Sequence, residues 1–120
     1  MKTEDITNIA RQTITEEAAA VAKLTDYIDD DFTQAVDYIL HSKGRVVITG
    51  IGKSAIIANK IVATMNSTGT PAIFMHAADA IHGDLGIIQQ DDVVICISKS
   101  GNTPEIKVLV PLLKRGNNKL

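Results

Sequence analysis

The sequence has few of the features that mark secreted or nucleic-acid-binding proteins. It contains one cysteine, Cys96, and its formal net charge is only −2. A lone cysteine excludes an intrachain disulfide, and within an apolar run we interpret it as a small buried side chain in a reducing compartment. The chain has no excess of Lys and Arg to face a phosphate backbone, which argues against nucleic acid as the main partner.

Long apolar runs are also missing. Residues 1–5 are polar and acidic, so we expect no signal peptide, and no apolar run reaches the length that spans a membrane. A hydrophobic fraction of 45% over 120 residues suits one globular domain. Together these absences predict a cytoplasmic protein whose partners are neither membranes nor nucleic acids.

The N-terminal part carries two amphipathic segments. Apolar residues recur at helical spacing from Thr3 to about Leu24, and again after Asp30 and Asp31, which offer an N-cap. Gly44 ends the second segment. We therefore expect residues 1–44 to form a helical segment, which either covers a sheet face or packs against another subunit.

Residues 45–120 alternate β-branched runs with helical patterns. We predict strands over 45–49, 71–75 and 93–97, helices over 55–67 and 103–114, and a short helical segment or turn over 77–81. Such alternation is typical of an α/β fold, a three-layer α-β-α sandwich with a parallel sheet. Lys119 and Leu120 arrive where a fourth strand should begin, so we expect the α/β core to be incomplete at its C-terminus.

The most specific motif joins the third predicted strand to its helix. Its small and polar residues are Ser98, Ser100, Gly101, Asn102 and Thr103. Free backbone amides and the positive end of the helix dipole suit a phosphate at such a junction. Thr103 can also cap the helix, but three hydroxyls exceed what capping needs. The alternative is an ordinary capped turn.

Glu105 lies in the first turn of the same helix. An acid at this place commonly compensates the helix dipole. It also has the position of a general base aimed over a phosphate site. The local sequence favours the first interpretation.

A second glycine-rich turn follows the first predicted strand. A Walker A loop would need a glycine five residues before Gly52, where Val47 stands. A dinucleotide fingerprint fits loosely, but His76 ends the second strand where an acid should hold the ribose. The remaining choices are a plain strand-to-helix turn and a turn that lets a sugar phosphate approach the backbone, with Lys53 and Ser54 as polar contacts.

His76 and His82 bracket a short helical segment or turn. His76 ends the second strand at the edge of the sheet where open α/β folds bind ligands. Two histidines six residues apart do not make a metal site unaided. Each is also consistent with an ordinary surface or core histidine.

Five segments, taken in order, resemble the sugar isomerase (SIS) domain of the arabinose 5-phosphate isomerase family. They are Gly50–Ser54, Ser67–Pro71, Phe74–His76, His82–Gly86 and Ser98–Asn102. The resemblance implies a flavodoxin-like sandwich and a cytoplasmic enzyme that interconverts D-ribulose 5-phosphate and D-arabinose 5-phosphate, at the start of the route to the lipopolysaccharide sugar Kdo. It also implies a homotetramer with active sites shared between subunits.

The resemblance further implies roles for single residues. Lys53 and Glu105 match catalytically important positions. Gly69, Thr70, His76 and His82 match substrate contacts, and His76 also matches a position that can bind an inhibitory metal such as zinc. The other matched positions form a cradle for the phosphate and sugar, and they are Ser54, Ser98, Ser100 and Thr103, with Asn102 in the same loop.

Aldose–ketose isomerisation moves a proton between C1 and C2 through a cis-enediol, and it requires no redox cofactor. It needs a base, a charge-stabilising group and a phosphate anchor. We assign the base to Glu105, charge stabilisation to Lys53, and ring opening or hydroxyl positioning to His82.

Members of this family have a further catalytic Glu and His, and often CBS domains, in segments that this sequence lacks. A chain of these residues alone is therefore expected to lack the full catalytic set. The alternatives are a non-catalytic sugar-phosphate sensor and a nucleotide-binding domain. The acidic leading helices disfavour the first, and the missing ribose acid disfavours the second.

Overall fold

The computed structural model describes all 120 residues, which form two compact units. The first unit covers Met1–Val36 and the second covers Asp37–Leu120. The boundary between them falls within the second helix, and the division after residue 44 stays a prediction. None of the helices combines the length and the apolar character that a membrane crossing requires.

The first unit is helical, as its periodicity predicts. Helix α1 spans Thr3–Lys23, a 3₁₀ turn follows, and α2 spans Asp30–His41, so that its last residues belong to the second unit. The backbone amide of Phe32 donates to Asp29 Oδ1 at 3.0 Å. The capping side chain is therefore Asp29 and not the predicted Asp30 or Asp31. No residue of α1 is buried, and its apolar side chains face solvent.

The second unit contains a parallel sheet of three strands. Strand β1 spans Val46–Gly50, β2 spans Ala72–His76 and β3 spans Val93–Cys96, in the order β2-β1-β3. All five residues of the central strand β1 are buried. The three predicted strands are confirmed, with ends shifted by one residue. Beyond β3, the Val94 amide donates to the Lys119 carbonyl at 2.9 Å, a first parallel bridge at the expected place of a fourth strand.

Helices cover both faces of this sheet. Helix α3, Lys53–Ser67, connects β1 to β2, and its Ala58 packs on the face of β1 that presents Val46 and Ile48. Helices α4, Ala77–Ile81, and α5, Pro104–Lys114, pack on the opposite face. The residues of β1 alternate between the two faces, as the pleat of a strand requires. The α/β sandwich predicted from the sequence is confirmed.

The strands begin at one edge of the sheet, which we call the amino edge, and end at the other, the carboxyl edge. At the amino edge, Arg45 Nη2 lies 2.7 Å from Asp92 Oδ2, and the Arg45 and Gln89 amides also donate to this carboxylate. Burial by itself raises the pKa of Asp92, but the hydrogen bonds from Arg45 and Gln89 outweigh it and hold the pKa below its usual range. This network ties the start of β1 to the start of β3.

Candidate active site

The strand order places a topological switch point at the carboxyl edge. Strand β1 continues into α3 on one face of the sheet, whereas β3 continues into α5 on the other. The loops that leave β1 and β3 therefore diverge to opposite faces at this edge. Open α/β sheets bind ligands outside the carboxyl ends of their strands at such a switch point.

The turn from β1 into α3 favours glycine at two positions. A Cβ on Gly50 would lie 3.2 Å from the Ser54 carbonyl carbon and 3.3 Å from the Ile97 carbonyl oxygen. Gly52 has φ of 60°, and it begins α3 without a capping side chain. Lys53 follows as an exposed residue in the first turn of the helix, and Ser54 is half-buried. The chain thus brings both predicted polar residues to the carboxyl edge.

The loop from β3 into α5 is held by its own hydroxyls. Ser98 Oγ accepts a hydrogen bond from the Gly101 amide at 3.0 Å and lies 3.3 Å from Thr103 Oγ1. Ser100 Oγ accepts from the Asn102 amide at 3.1 Å. Of the three hydroxyls predicted to face one turn, Ser98 and Thr103 meet each other, while Ser100 bonds within its own turn.

The first turn of α5 has no capping side chain. Thr103 holds the N-cap position, but its hydroxyl makes no capping hydrogen bond, so the expectation that it caps the helix is wrong. Pro104 at the first position has no amide hydrogen. Because no side chain caps this start, the positive end of the helix dipole lies uncompensated beside the hydroxyls. This arrangement favours an anion. Glu105, half-buried, lies in the same turn.

The two predicted histidines lie at opposite ends of α4. His76 is the last residue of β2 and pairs in register with Gly50. Its Nδ1 accepts a hydrogen bond from the Ala78 amide at 3.2 Å, and its ring meets the Phe74 ring edge-on. His82 terminates α4, and its side chain is exposed.

The side chains near His76 do not compose a zinc site. No group of three or more His, Cys, Asp or Glu residues in the chain is arranged to hold a metal ion. A neutral imidazole has one free lone pair, and that of His76 accepts the Ala78 amide. An inhibitory metal at His76 therefore stays a prediction, and an ion bound at Nδ1 would have to displace this hydrogen bond.

Gly69 and Thr70 lie at the other edge of the sheet. The Thr70 amide donates to the Met65 carbonyl, and Gly69, with φ of 95°, ends α3 in a Schellman motif. The Val46 amide donates to the Pro71 carbonyl, which fixes this turn at the amino edge. The length of β2, about 15 Å, separates the Gly69–Thr70 turn from His76. Within one chain, Gly69 and Thr70 are not brought together with the other predicted residues.

Sequence reasoning missed one polar group at the carboxyl edge. The Thr49 hydroxyl is fully buried and has no hydrogen-bond partner. Thr49 pairs in register with Met75 and with Cys96, whose thiol has a pKa raised by burial. In the sequence, the only indication of this group was one hydroxyl-bearing residue at the end of the aliphatic run Val46–Ile48.

These features define a doubly wound α/β domain with a candidate ligand site at the junction of β1 and β3. The SIS domain family matches residues 39–120 of the sequence, and the chain belongs to this family.

Two curated relatives cover most of the chain. It is 50% identical over 111 residues to arabinose 5-phosphate isomerase KdsD of Pseudomonas aeruginosa, covering 92% of this chain and 34% of the relative. It is 47% identical over 111 residues to arabinose 5-phosphate isomerase GutQ of Escherichia coli K12, covering 92% and 35%. The chain therefore spans about a third of the length of these relatives.

A solved structure shares the fold. The Escherichia coli CFT073 protein c3406, determined in complex with arabinose 5-phosphate, superposes with a TM-score of 0.90 at 42% identity. The match covers 98% of this chain and 63% of that one.

Proposed function

We propose that this chain forms part of an isomerase that interconverts D-ribulose 5-phosphate and D-arabinose 5-phosphate, and that it supplies the phosphate anchor. The observation that carries the proposal is the uncapped start of α5 beside the paired hydroxyls of Ser98 and Thr103. It is supported by two relatives, 50% and 47% identical in sequence, that are named arabinose 5-phosphate isomerases.

The anchor works through amides and hydroxyls more than through side-chain charge. The first-turn amides of α5 point out of the helix, and a phosphate at this place would accept from them. Ser98 and Thr103 each retain capacity for a further hydrogen bond, because a hydroxyl offers one donor and two acceptor lone pairs. Hydrogen bonds to a charged phosphate are stronger than those to a neutral group.

In the proposed chemistry, the Glu105 carboxylate removes a proton from C1 of the ketose or C2 of the aldose and returns it to the neighbouring carbon, while the hydroxyl proton passes between O1 and O2. The negative charge that develops on the enediol oxygen is stabilised by the Lys53 ammonium group. His82 opens the ring or orients a sugar hydroxyl. The electron count of the sugar is unchanged, so the reaction requires no redox cofactor.

The positions of Gly69 and Thr70 bear on assembly. If both contact the sugar, as the resemblance implies, they must come from a second copy, because their own chain holds them at the amino edge. The apolar side chains that α1 exposes give a surface for such contacts. We therefore propose a homo-oligomer, a tetramer by the resemblance, with sites shared between subunits.

By the same resemblance, we place the reaction in the cytoplasm, at the start of the Kdo branch of lipopolysaccharide synthesis. Fractionation of the source cells followed by immunodetection would test the location. Accumulation of Kdo precursors after depletion of the protein would test the pathway.

The test of function begins with binding. Calorimetric titration of the chain with D-arabinose 5-phosphate should show saturable binding, and replacing Ser98 and Thr103 by Ala and Val should weaken it at least about tenfold. Thr64→Ala is the matched control, because its exposed hydroxyl bonds only within α3. NAD binding without sugar-phosphate binding would contradict the proposal.

An isomerase assay then separates an enzyme from a sensor. Conversion of arabinose 5-phosphate to ribulose 5-phosphate is expected from the whole protein, and Glu105→Gln should abolish it while binding persists. Binding without any turnover in the whole protein would identify a sugar-phosphate sensor. Turnover of Glu105→Gln within about tenfold of the parent would remove Glu105 from the role of base.

A further inference from the structure

Helix α4 is too short to be stable on its own. It has five residues, Ala77–Ile81, whereas isolated helices of fewer than about twelve are marginal in water. The first amides of a helix also lack partners within it, and residues such as Ser, Asp or Asn usually supply the acceptor. In α4 the acceptor is His76, whose Nδ1 lies 3.2 Å from the Ala78 amide nitrogen.

This hydrogen bond selects one tautomer of the neutral ring. A neutral imidazole carries one proton, so an Nδ1 that accepts from Ala78 leaves the proton on Nε2. The orientation of the ring is further constrained by Phe74, two residues earlier on β2, at a centroid distance of 6.1 Å and an interplanar angle of 86°. His76 is thus held by one ring contact and one hydrogen bond.

Helix α4 connects His76 to two groups of the candidate site. Ala77 and Ala80 are fully buried and pack in one cluster with Ile106 and Leu109 of α5, the helix that carries Glu105. His82 ends α4 directly. The position of α4 therefore determines the place of His82 and the support beneath the start of α5.

We infer that His76 is a positioning residue, which caps α4 through Nδ1 and thereby orients His82 and supports α5. This role rests on the proposed function only to the extent that His82 and Glu105 serve the sugar phosphate. The cap uses Nδ1, whereas a metal ligand or a direct substrate contact would use Nε2, the ring nitrogen that faces away from the helix, or would break the cap.

Three substitutions separate these roles. The side-chain oxygen of Asn can take the place of Nδ1 and cap α4, whereas the longer Gln places its amide near the position of Nε2. His76→Asn should keep the Ala78 amide protected from hydrogen exchange. His76→Gln and His76→Ala should speed its exchange about fivefold or more relative to amides of α5.

A measurement of the His76 tautomer needs no substitution and no sugar. Nitrogen-15 correlation spectra of the unmodified chain should show the His76 tautomer with the proton on Nε2. The opposite tautomer would overturn the cap. Because neither this measurement nor hydrogen exchange involves a ligand, a failure of the cap is distinguishable from a failure of the proposed function.

The affinity for D-arabinose 5-phosphate is measured next, for the unmodified chain and for the variants. We expect His76→Asn to bind within about threefold of the unmodified chain and His76→Gln to lose about tenfold or more. Equal loss in both variants, or retention by Gln alone, would assign His76 to direct contact instead. Dispersed amide spectra show whether each variant is folded. If a variant does not fold, the tautomer measured in the unmodified chain tests the cap instead.

Discussion

The two edges of the sheet differ in how their polar groups are treated. At the amino edge, the buried carboxylate of Asp92 accepts from Arg45 and Gln89, and the Asp92 carbonyl oxygen accepts from Asn118. At the carboxyl edge, α3 and α5 both begin without a capping side chain, and the Thr49 hydroxyl has no partner. The first edge pairs its buried polar groups within the chain, while the second leaves part of its hydrogen-bonding capacity unused.

The largest effect on stability is expected at the amino edge. Replacing Asp92 by Ala leaves Arg45 without its partner and should lower the free energy of unfolding by about 3 kcal/mol. Asp91→Ala is the matched control, because its side chain is exposed, and it should change stability by less than about 0.5 kcal/mol. Urea denaturation measures both. Equal effects would show that the buried ion pair does not distinguish this edge.

The same pair should make stability depend on pH. The folded chain holds the pKa of Asp92 below its usual range. The pair therefore contributes fully above the unfolded pKa, about 3.9, and loses its contribution as the pH falls through the lower folded value. Urea midpoints of the parent chain should fall at acidic pH, and those of Asp92→Asn should lack this part of the decline. Parallel profiles would assign the decline to other groups.

A pair of glycines compares the edges directly. Gly101 at the carboxyl edge and Gly69 at the amino edge both have positive φ, and a Cβ added to either would meet nothing within 4 Å. Alanine at either position should cost about 1 to 2 kcal/mol of stability through backbone strain. Only Gly101→Ala should weaken phosphate binding in a monomer. Loss of binding by Gly69→Ala in the oligomer alone would support a shared site.

The smallest expected effect concerns Thr49. Because its hydroxyl is buried without a partner, Thr49→Val should raise stability by about 1 kcal/mol. The measurement is the urea midpoint, with Thr64→Val as an exposed control. A loss of stability would mean that the hydroxyl has a partner in solution, such as a buried water.

The strands and helices of the second unit could be predicted because their causes are local. The β-branched run at Val46–Ile48 and the glycine after α3 act over a few residues, and each appears where its pattern predicts. The ion pair of Arg45 and Asp92 joins residues 47 positions apart, so no local pattern reveals it. Residues of the carboxyl edge were likewise assembled from distant segments, and only the parallel topology indicated that they meet.

Three errors or omissions share another cause. Sequence preferences assign helix caps by residue type, yet each cap is set by which acceptor lies nearest an amide. Asp29 caps α2 in place of its neighbours, the Thr103 hydroxyl turns to Ser98, and His76 supplies an acceptor that sequence preferences give to other residues. Each of these contacts joins residues no more than five positions apart, but residue type alone does not say which of several neighbouring side chains turns toward the amide.

The crowding at Gly50 has a mechanical consequence. A Cβ at this position would lie 3.2 Å from the Ser54 carbonyl carbon and 3.3 Å from the Ile97 carbonyl oxygen, closer than ordinary van der Waals contact. The start of α3 and the end of β3 therefore both approach this residue. A larger side chain there would push against the loop bearing Lys53 and the loop bearing the hydroxyls at the same time.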